Sequence, residues 1–368
     1  MALILLPLYF LGLNIADPTE KALQSNDKLQ IERSFSVDKS RRLTVDDILH
    51  IPMESTSTTA IPWSFESQAY WIKTSLVNHS NDELSLVMHF DNPMLNQLKV
   101  YHFAQSELKQ KRELSWSNQQ LSLLDRTVLN YKFSLSAKAQ IDIYSRIETV
   151  GIAKTPIHIY SQESFVPLIR STNLIWGAFI GILCMIALYN LVLFYGLKER
   201  IFLIYIGYIL SVLTMMSIVQ GFGHYLFPNW LYHYLRLNVI SLNYLTLTFA
   251  VLFALFFMNY HKQRTLIYRR CLYYVYLLFS LSAFSTLISE SIAAPIFFVA
   301  MSIAYPLCFY LLYKNYNSGN SGSALYIVSW IPLLIGGAIQ PLELTDVIPY
   351  SFVVRNIFGV CIVFEITL

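Results

Sequence analysis

From residue 171 to the end, the sequence is a succession of apolar runs. Seven fit, at approximately 174–196, 201–221, 237–259, 270–289, 292–313, 324–343 and 349–368. A bilayer core of roughly 30 Å takes about 20 apolar residues in a helix. Backbone groups in lipid must bond within their own segment, so each run is expected to be a helix that crosses once. Charge divides the chain at the same place. Residues 1–170 hold 17 Lys/Arg and 18 Asp/Glu, whereas the remaining 198 residues hold 9 and 5. Only 13% of the whole chain is charged, about half the roughly 25% of a soluble domain. A soluble enzyme and a disordered scaffold are excluded on this ground. A net charge of +3 without a basic cluster excludes nucleic-acid binding.

The loops orient the runs. Lys198 and Arg200 follow the first; Lys262, Arg264, Arg269 and Arg270 follow the third; Lys314 follows the fifth; the opposite loops contribute Arg236 alone. Basic residues stay in the cytoplasm, which puts the polar half outside and the C-terminus inside. Residues 1–16, MALILLPLYFLGLNIA, are too short to span comfortably and are expected to be a signal peptide. The four cysteines, Cys184, Cys271, Cys308 and Cys361, all lie in the apolar half, so no disulfide framework is expected outside.

Residues 26–166 read as one antiparallel β-sandwich. Strands are expected at 69–77, 84–90, 98–103, 128–135, 141–147 and 156–160. They alternate apolar and polar residues or are rich in β-branched and aromatic ones, and Asn, Asp, Ser and Pro turns separate them. The expected fold class is therefore a β-sandwich followed by an all-α domain of seven transmembrane helices, residues 171–368.

Particular residues strengthen this layout. In the sandwich they are Tyr70-Trp71, Asn78-His79-Ser80, and Asn92-Pro93-Met94-Leu95-Asn96-Gln97-Leu98 leading into Val100-Tyr101. In the apolar half they are Trp176-Gly177-Ala178-Phe179-Ile180-Gly181, Ala187-Leu188-Tyr189-Asn190, Lys198-Glu199-Arg200, Tyr205-Ile206-Gly207-Tyr208 and the run from Gly221 to Pro228. In this order and spacing, the chain resembles the bacterial seven-transmembrane receptors with diverse intracellular signalling modules. The sandwich is similar to their type-2 extracellular sensor domain. The resemblance implies a jelly-roll-like periplasmic sensor in the inner membrane. A kinase, phosphatase or diguanylate cyclase usually follows the last helix in that family. None follows here, so the sequence is expected to be the sensing and relay part of a longer protein. The implied partners are the bilayer, a periplasmic ligand (carbohydrate-like, or a protein), a signalling module in cis or in trans, and a second copy of the chain.

No catalytic motif, metal site or cofactor site stands out. Trp63, Tyr70 and Trp116, with Trp71, are candidates for an aromatic platform under a flat ligand, the alternative being that they fill the core. His79, His89 and His102 lack metal-ligand spacing and are expected at the surface, solvated or hydrogen-bonded. Ionisable groups inside a membrane are functional candidates by default. Arg355 and Glu365 share the last run, ten residues apart, too far for an ion pair. Arg355 is expected to snorkel and Glu365 to lie near the cytoplasmic interface. Asn190 and Asn243 are expected to bond between helices. Glu290, Glu343 and Asp346 gather towards the outer face. His224, Tyr225, Trp230, Tyr232, His233 and Tyr234 crowd the first outer loop, as an interfacial belt or a docking surface. Two further readings stay open: a transporter or channel accessory, and a membrane enzyme using the outer-face acids.

Overall fold

The computed structural model describes residues 28–56, 69–95, 97–104, 107–115, 129–148, 155–260, 266–317, 322–344, 348 and 352–367. The expected signal peptide lies outside them. Two compact units divide between Asn173 and Leu174.

In the first unit nine strands form two sheets: β1 Leu29–Asp38, β2 Glu54–Thr56, β3 Ala69–Asn78, β4 Leu84–Phe90, β5 Gln97–Ala104, β6 Glu107–Ser115, β7 Leu129–Leu135, β8 Gln140–Glu148 and β9 Ile157–Ser161. One sheet runs β2-β1-β3-β8-β5-β6 and the other β7-β4-β9. Every pairing is antiparallel. Alternation along each strand sends every second side chain between the sheets. Tyr70, Ile72 and Leu76 of β3 meet Leu86, Met88 and Phe90 of β4 in one core with Leu98, Val100, Tyr131, Ile143, Ile147 and Ile159. All six expected strands are present. β1, β2 and β6 add to them, β6 being a charged edge strand of the kind that resists pairing with other chains.

The outward faces are covered at two places. A short helix, α1 (Val45–Ile48), is capped reciprocally by Thr44 and Asp47. It lays Ile48 over Trp71, Tyr101, Phe103 and Tyr144 on the large sheet. On the small sheet, Val87 packs with Tyr160, Phe165, Leu168 and Ile169. The last three sit at i, i+3 and i+4 on the opening turns of α2, Gln162–Leu197. The helix thus extends ahead of the apolar run that begins at 174. The helix begins directly after β9, because Phe165, Leu168 and Ile169 give its first turns an apolar stripe of their own.

The second unit continues with α3 Arg200–Val219, α4 Gly223–Leu226, α5 Asn229–Leu237, α6 Val239–Phe257, α7 Leu266–Phe284, α8 Glu290–Asn317, α9 Gly322–Leu344 and α10 Phe352–Thr367. Among the described residues, seven long helices fall in order on the apolar runs. Four of them, α2, α3, α6 and α8, are long and apolar enough to cross a membrane. α6 packs against α3, α7 and α8, and α9 against α8 and α10. At Gly207 the α3 backbone approaches α6 so closely that a Cβ would lie 2.4 Å from Phe249.

Candidate functional site

Three clusters of polar side chains stand out, two in the sandwich and one among the helices. The first lies on the outward face of the large sheet. The β3–β8 register sets Trp71 opposite Arg146, Lys73 opposite Tyr144 and Ser75 opposite Asp142. Lys73 Nζ is 3.0 Å from Asp142, Ser75 Oγ donates to the same carboxylate at 2.6 Å, and Lys73 stands over the Tyr144 ring at 5.7 Å. Burial works against the Lys73 ammonium, but Asp142 outweighs it and holds the pKa above the ordinary lysine value. Beside it Arg146 bonds Glu148, donates to the Arg41 carbonyl at 2.8 Å and lies over Trp71. Burial pushes Glu148 up, yet Arg146 and Arg41 bring its carboxyl below the usual value. The face thus carries paired charges, Lys73 with Asp142 and Arg146 with Glu148, beside aromatic rings that α1 covers.

The second cluster lies where β4 meets the start of α2. His89 is 5% exposed. Its Nδ1 is 2.7 Å from Asn130 Oδ1, its Nε2 is 3.5 Å from Asp91, and its ring meets Tyr160 and Phe165 edge-on. The expectation of a surface histidine is corrected here: α2 covers the face that alternation alone would leave to solvent. His79 and His102 fit the expectation better. His79 is exposed and bonds Gln30, and His102 is half-buried with Nδ1 3.0 Å from the Tyr131 hydroxyl.

The third cluster joins α3 to the end of α10. Glu365 is 6% exposed, and Tyr208 donates to its Oε2 at 3.0 Å. Tyr205, one turn earlier, donates to the Ile366 carbonyl at 2.6 Å. Aromatic rings continue outward from this pair: Tyr205 stacks on Phe253 at 4.6 Å, Phe253 and Phe257 meet Tyr326, and Tyr326 meets Trp330. Glu365 is therefore packed inside the helical unit.

The other sequence candidates fall as follows. Tyr70 is 4% exposed in the sandwich core, the core-filling alternative rather than an open platform. Trp71 is fully buried beneath α1. Trp63, Trp116 and Asp346, and the side chains of Arg355 and Glu343, lie outside the described residues. Asn190 is buried, but its amide donates to the Ile186 carbonyl of its own helix at 2.9 Å. The expected interhelical bond is thus replaced by one inside the helix, since the carbonyl one turn back lies within reach of a short amide. Asn243 is half-buried and makes no hydrogen bond among the described residues. Glu290 opens α8, half-buried. His224 is half-buried: its Nδ1 is 2.7 Å from the Gly221 carbonyl, and its ring packs on Tyr225 and Tyr232. Among the described residues no group of three metal-ligating side chains assembles. The Glu365–Tyr208 pair escapes sequence reading because its partners are 157 residues apart.

A sheet domain followed by a unit of long apolar helices fits a membrane-associated protein. Family comparison agrees. The family model described as 7TM diverse intracellular signalling matches residues 172–368, and the 7TMR-DISM extracellular 2 model matches residues 32–161. The chain belongs to the 7TM diverse intracellular signalling family. No curated protein matches it. Among solved structures, the GH31 alpha-xylosidase of Xanthomonas citri aligns with 37% of this chain and 17% of its own. Identity there is 9% and the TM-score 0.21, so that likeness carries no argument about fold or activity.

Proposed function

We propose that this chain is the sensing and relay part of an inner-membrane receptor. The seven long helices cross the bilayer once each, the sandwich stands on the periplasmic side, and α10 ends in the cytoplasm. The observation that carries this reading is the seven-to-one placement of Lys and Arg at alternate helix ends. Arg269, Arg270 and Lys314 are exposed at the start of α7 and the end of α8, as juxtamembrane cations need to be.

The sandwich binds a small polar ligand, carbohydrate-like, or a periplasmic protein. Ser75, Lys73 and Asp142, half-exposed on the large sheet, are the groups that would meet it. A ligand that binds one state of the receptor better than another shifts the helices toward that state. The cytoplasmic signalling module, in cis or supplied by a partner and working in a homodimer, reads that shift; this chain's own part is relay, not catalysis.

Reporter fusions test the arrangement. A reporter active only outside the cytoplasm is expected to work when joined after residue 161 and to fail after residue 317. The opposite result overturns the proposal.

A further inference from the structure

Two hydrogen-bond donors are buried on the outward face of the large sheet with no acceptor. Trp71 is 0% exposed and Arg146 7% exposed. The indole Nε1 of the first and the guanidinium Nε of the second bond nothing among the described residues. Buried polar groups are almost always paired, and a covered tryptophan N–H usually finds an acceptor. These two donors share one place. The β3–β8 register sets Trp71 directly opposite Arg146, and such partners have Cβ atoms about 4.5–5.5 Å apart. The guanidinium carbon lies over the indole, 6.0 Å from the ring centroid.

The surroundings narrow the chemistry of the missing acceptor. Tryptophan and arginine side chains donate only. The register carries the same row on from Arg146 to Lys99 of β5, a second cation. The carboxylates of this face are already engaged: Glu148 by Arg146 and Arg41, Asp142 by Lys73 and Ser75, Glu113 by Lys99. Glu148 is shared by two guanidinium groups and so neutralises Arg146 only in part. A water would bring two O–H donors of its own into a row already rich in donors. An anion brings lone pairs alone, together with negative charge. The cover is apolar, Ile48 of α1 with Leu43 and Ile51 packed beside it. It keeps solvent away, which strengthens a charge-assisted bond, and it favours a guest of one atom over a bulky one.

We infer that Trp71 Nε1 and Arg146 Nε bind a small inorganic anion of halide size beneath α1, with Lys99 adding charge from the next strand. The site is separate from Ser75, Lys73 and Asp142, the groups given to the polar ligand above. It holds whichever way the chain sits in a membrane. The bound anion ties β3 to β8, so the sandwich is more stable with halide than without it.

The experiment is amide hydrogen exchange on the full chain in lipid nanodiscs. Sodium bromide is compared with sodium gluconate at one ionic strength, about 0.15 M, so that screening is equal. Amides of β3 and β8 in wild type are expected to exchange roughly tenfold slower in bromide, the factor 1 + [L]/Kd for an anion at about ten times its Kd. α6 is expected to exchange alike in the two salts. Trp71→Phe keeps a ring and loses the N–H, and Arg146→Lys keeps the charge and loses Nε. Either change weakens the anion's hold by roughly tenfold and is expected to cut the bromide effect to about twofold. Exchange in β4 and α6 reports that each variant is folded; if one is not, the other decides. Equal exchange of wild-type β3 and β8 in the two salts, the result a buried water would give, overturns the site. So does an equal bromide effect on α6, or a folded variant that keeps the full effect.

Discussion

Asn78 closes strand β3, and its replacement by alanine removes four hydrogen bonds at once, one of them shared between two carbonyls. Its Nδ2 lies 2.8 Å from the carbonyl of Asp82, 2.9 Å from that of Ser136 and 3.2 Å from that of Leu135, so its two N–H groups serve three acceptors and one bond is shared. Its Oδ1 accepts from the Ser80 amide at 2.9 Å and the Ser80 hydroxyl at 2.7 Å. The side chain is 1% exposed, so water cannot replace the inner partners. At about 0.5–1.5 kcal/mol for each net bond, and with the two Ser80 bonds partly regained from solvent, the loss comes to about 2–4 kcal/mol. Asn78→Asp sharpens the test. It keeps the shape and the acceptor but turns a carboxylate toward three carbonyls, so it is expected to cost at least as much as alanine. The assay is amide exchange in β3 and β7 of the full chain in nanodiscs, where the opening free energy is read directly. A change below about 1 kcal/mol for Asn78→Ala, or a milder effect for Asp than for Ala, would refute the reasoning.

Three other outcomes are expected. Gly207→Ala drives a Cβ to within 2.4 Å of Phe249. About 1–3 kcal/mol of overpacking outweighs the helix-propensity gain of up to about 1 kcal/mol, so the Tm in detergent falls, and Phe249→Ala in the same chain restores it. Burial holds the His102 pKa below its ordinary value. The unfolded chain therefore binds the proton more readily, and sandwich stability drops as pH falls through the ordinary histidine range; His102→Gln is expected to flatten that slope in a denaturant series run between pH 5 and pH 8. Arg146→Ala removes the partner that outweighs burial at Glu148. Glu148 contributes stability above its unfolded pKa that is lost as pH falls through its lower folded value; the variant is expected to lose that acid dependence and to be less stable at neutral pH, as read by thermal unfolding at pH 3, 4 and 7.

The strands that sequence could find were those with contrast between their two faces. Ala69–Asn78 and Leu84–Phe90 carry apolar residues at every second place and end at turn residues. β6, ELKQKRELS, offers no such contrast, since an edge strand with both faces toward solvent reads like a charged loop. His89 was misjudged because alternation tells which side chains share a face, not what covers it; the cover comes from Phe165 on the next element. The start of α2 lies ahead of the apolar run, in a stretch whose Pro167 forgoes the backbone bond to the Glu163 carbonyl and reads as a break. At the candidate sites, Glu365 was visible as an acid in an apolar run. Its phenolic partners were not, because nothing in a 3.6-residue period pairs a tyrosine at 208 with a carboxyl at 365.

The proposed topology puts the sandwich and the start of α3 on opposite sides of one membrane. Glu107→Cys sits on the exposed edge strand β6, and Arg200→Cys at the exposed start of α3. Each is introduced separately into a chain whose native cysteines are serine, and a membrane-impermeant maleimide is applied to spheroplasts. Cys at 107 is expected to label in intact spheroplasts and Cys at 200 only after lysis. Labelling of both, or of position 200 alone, before lysis would contradict the account.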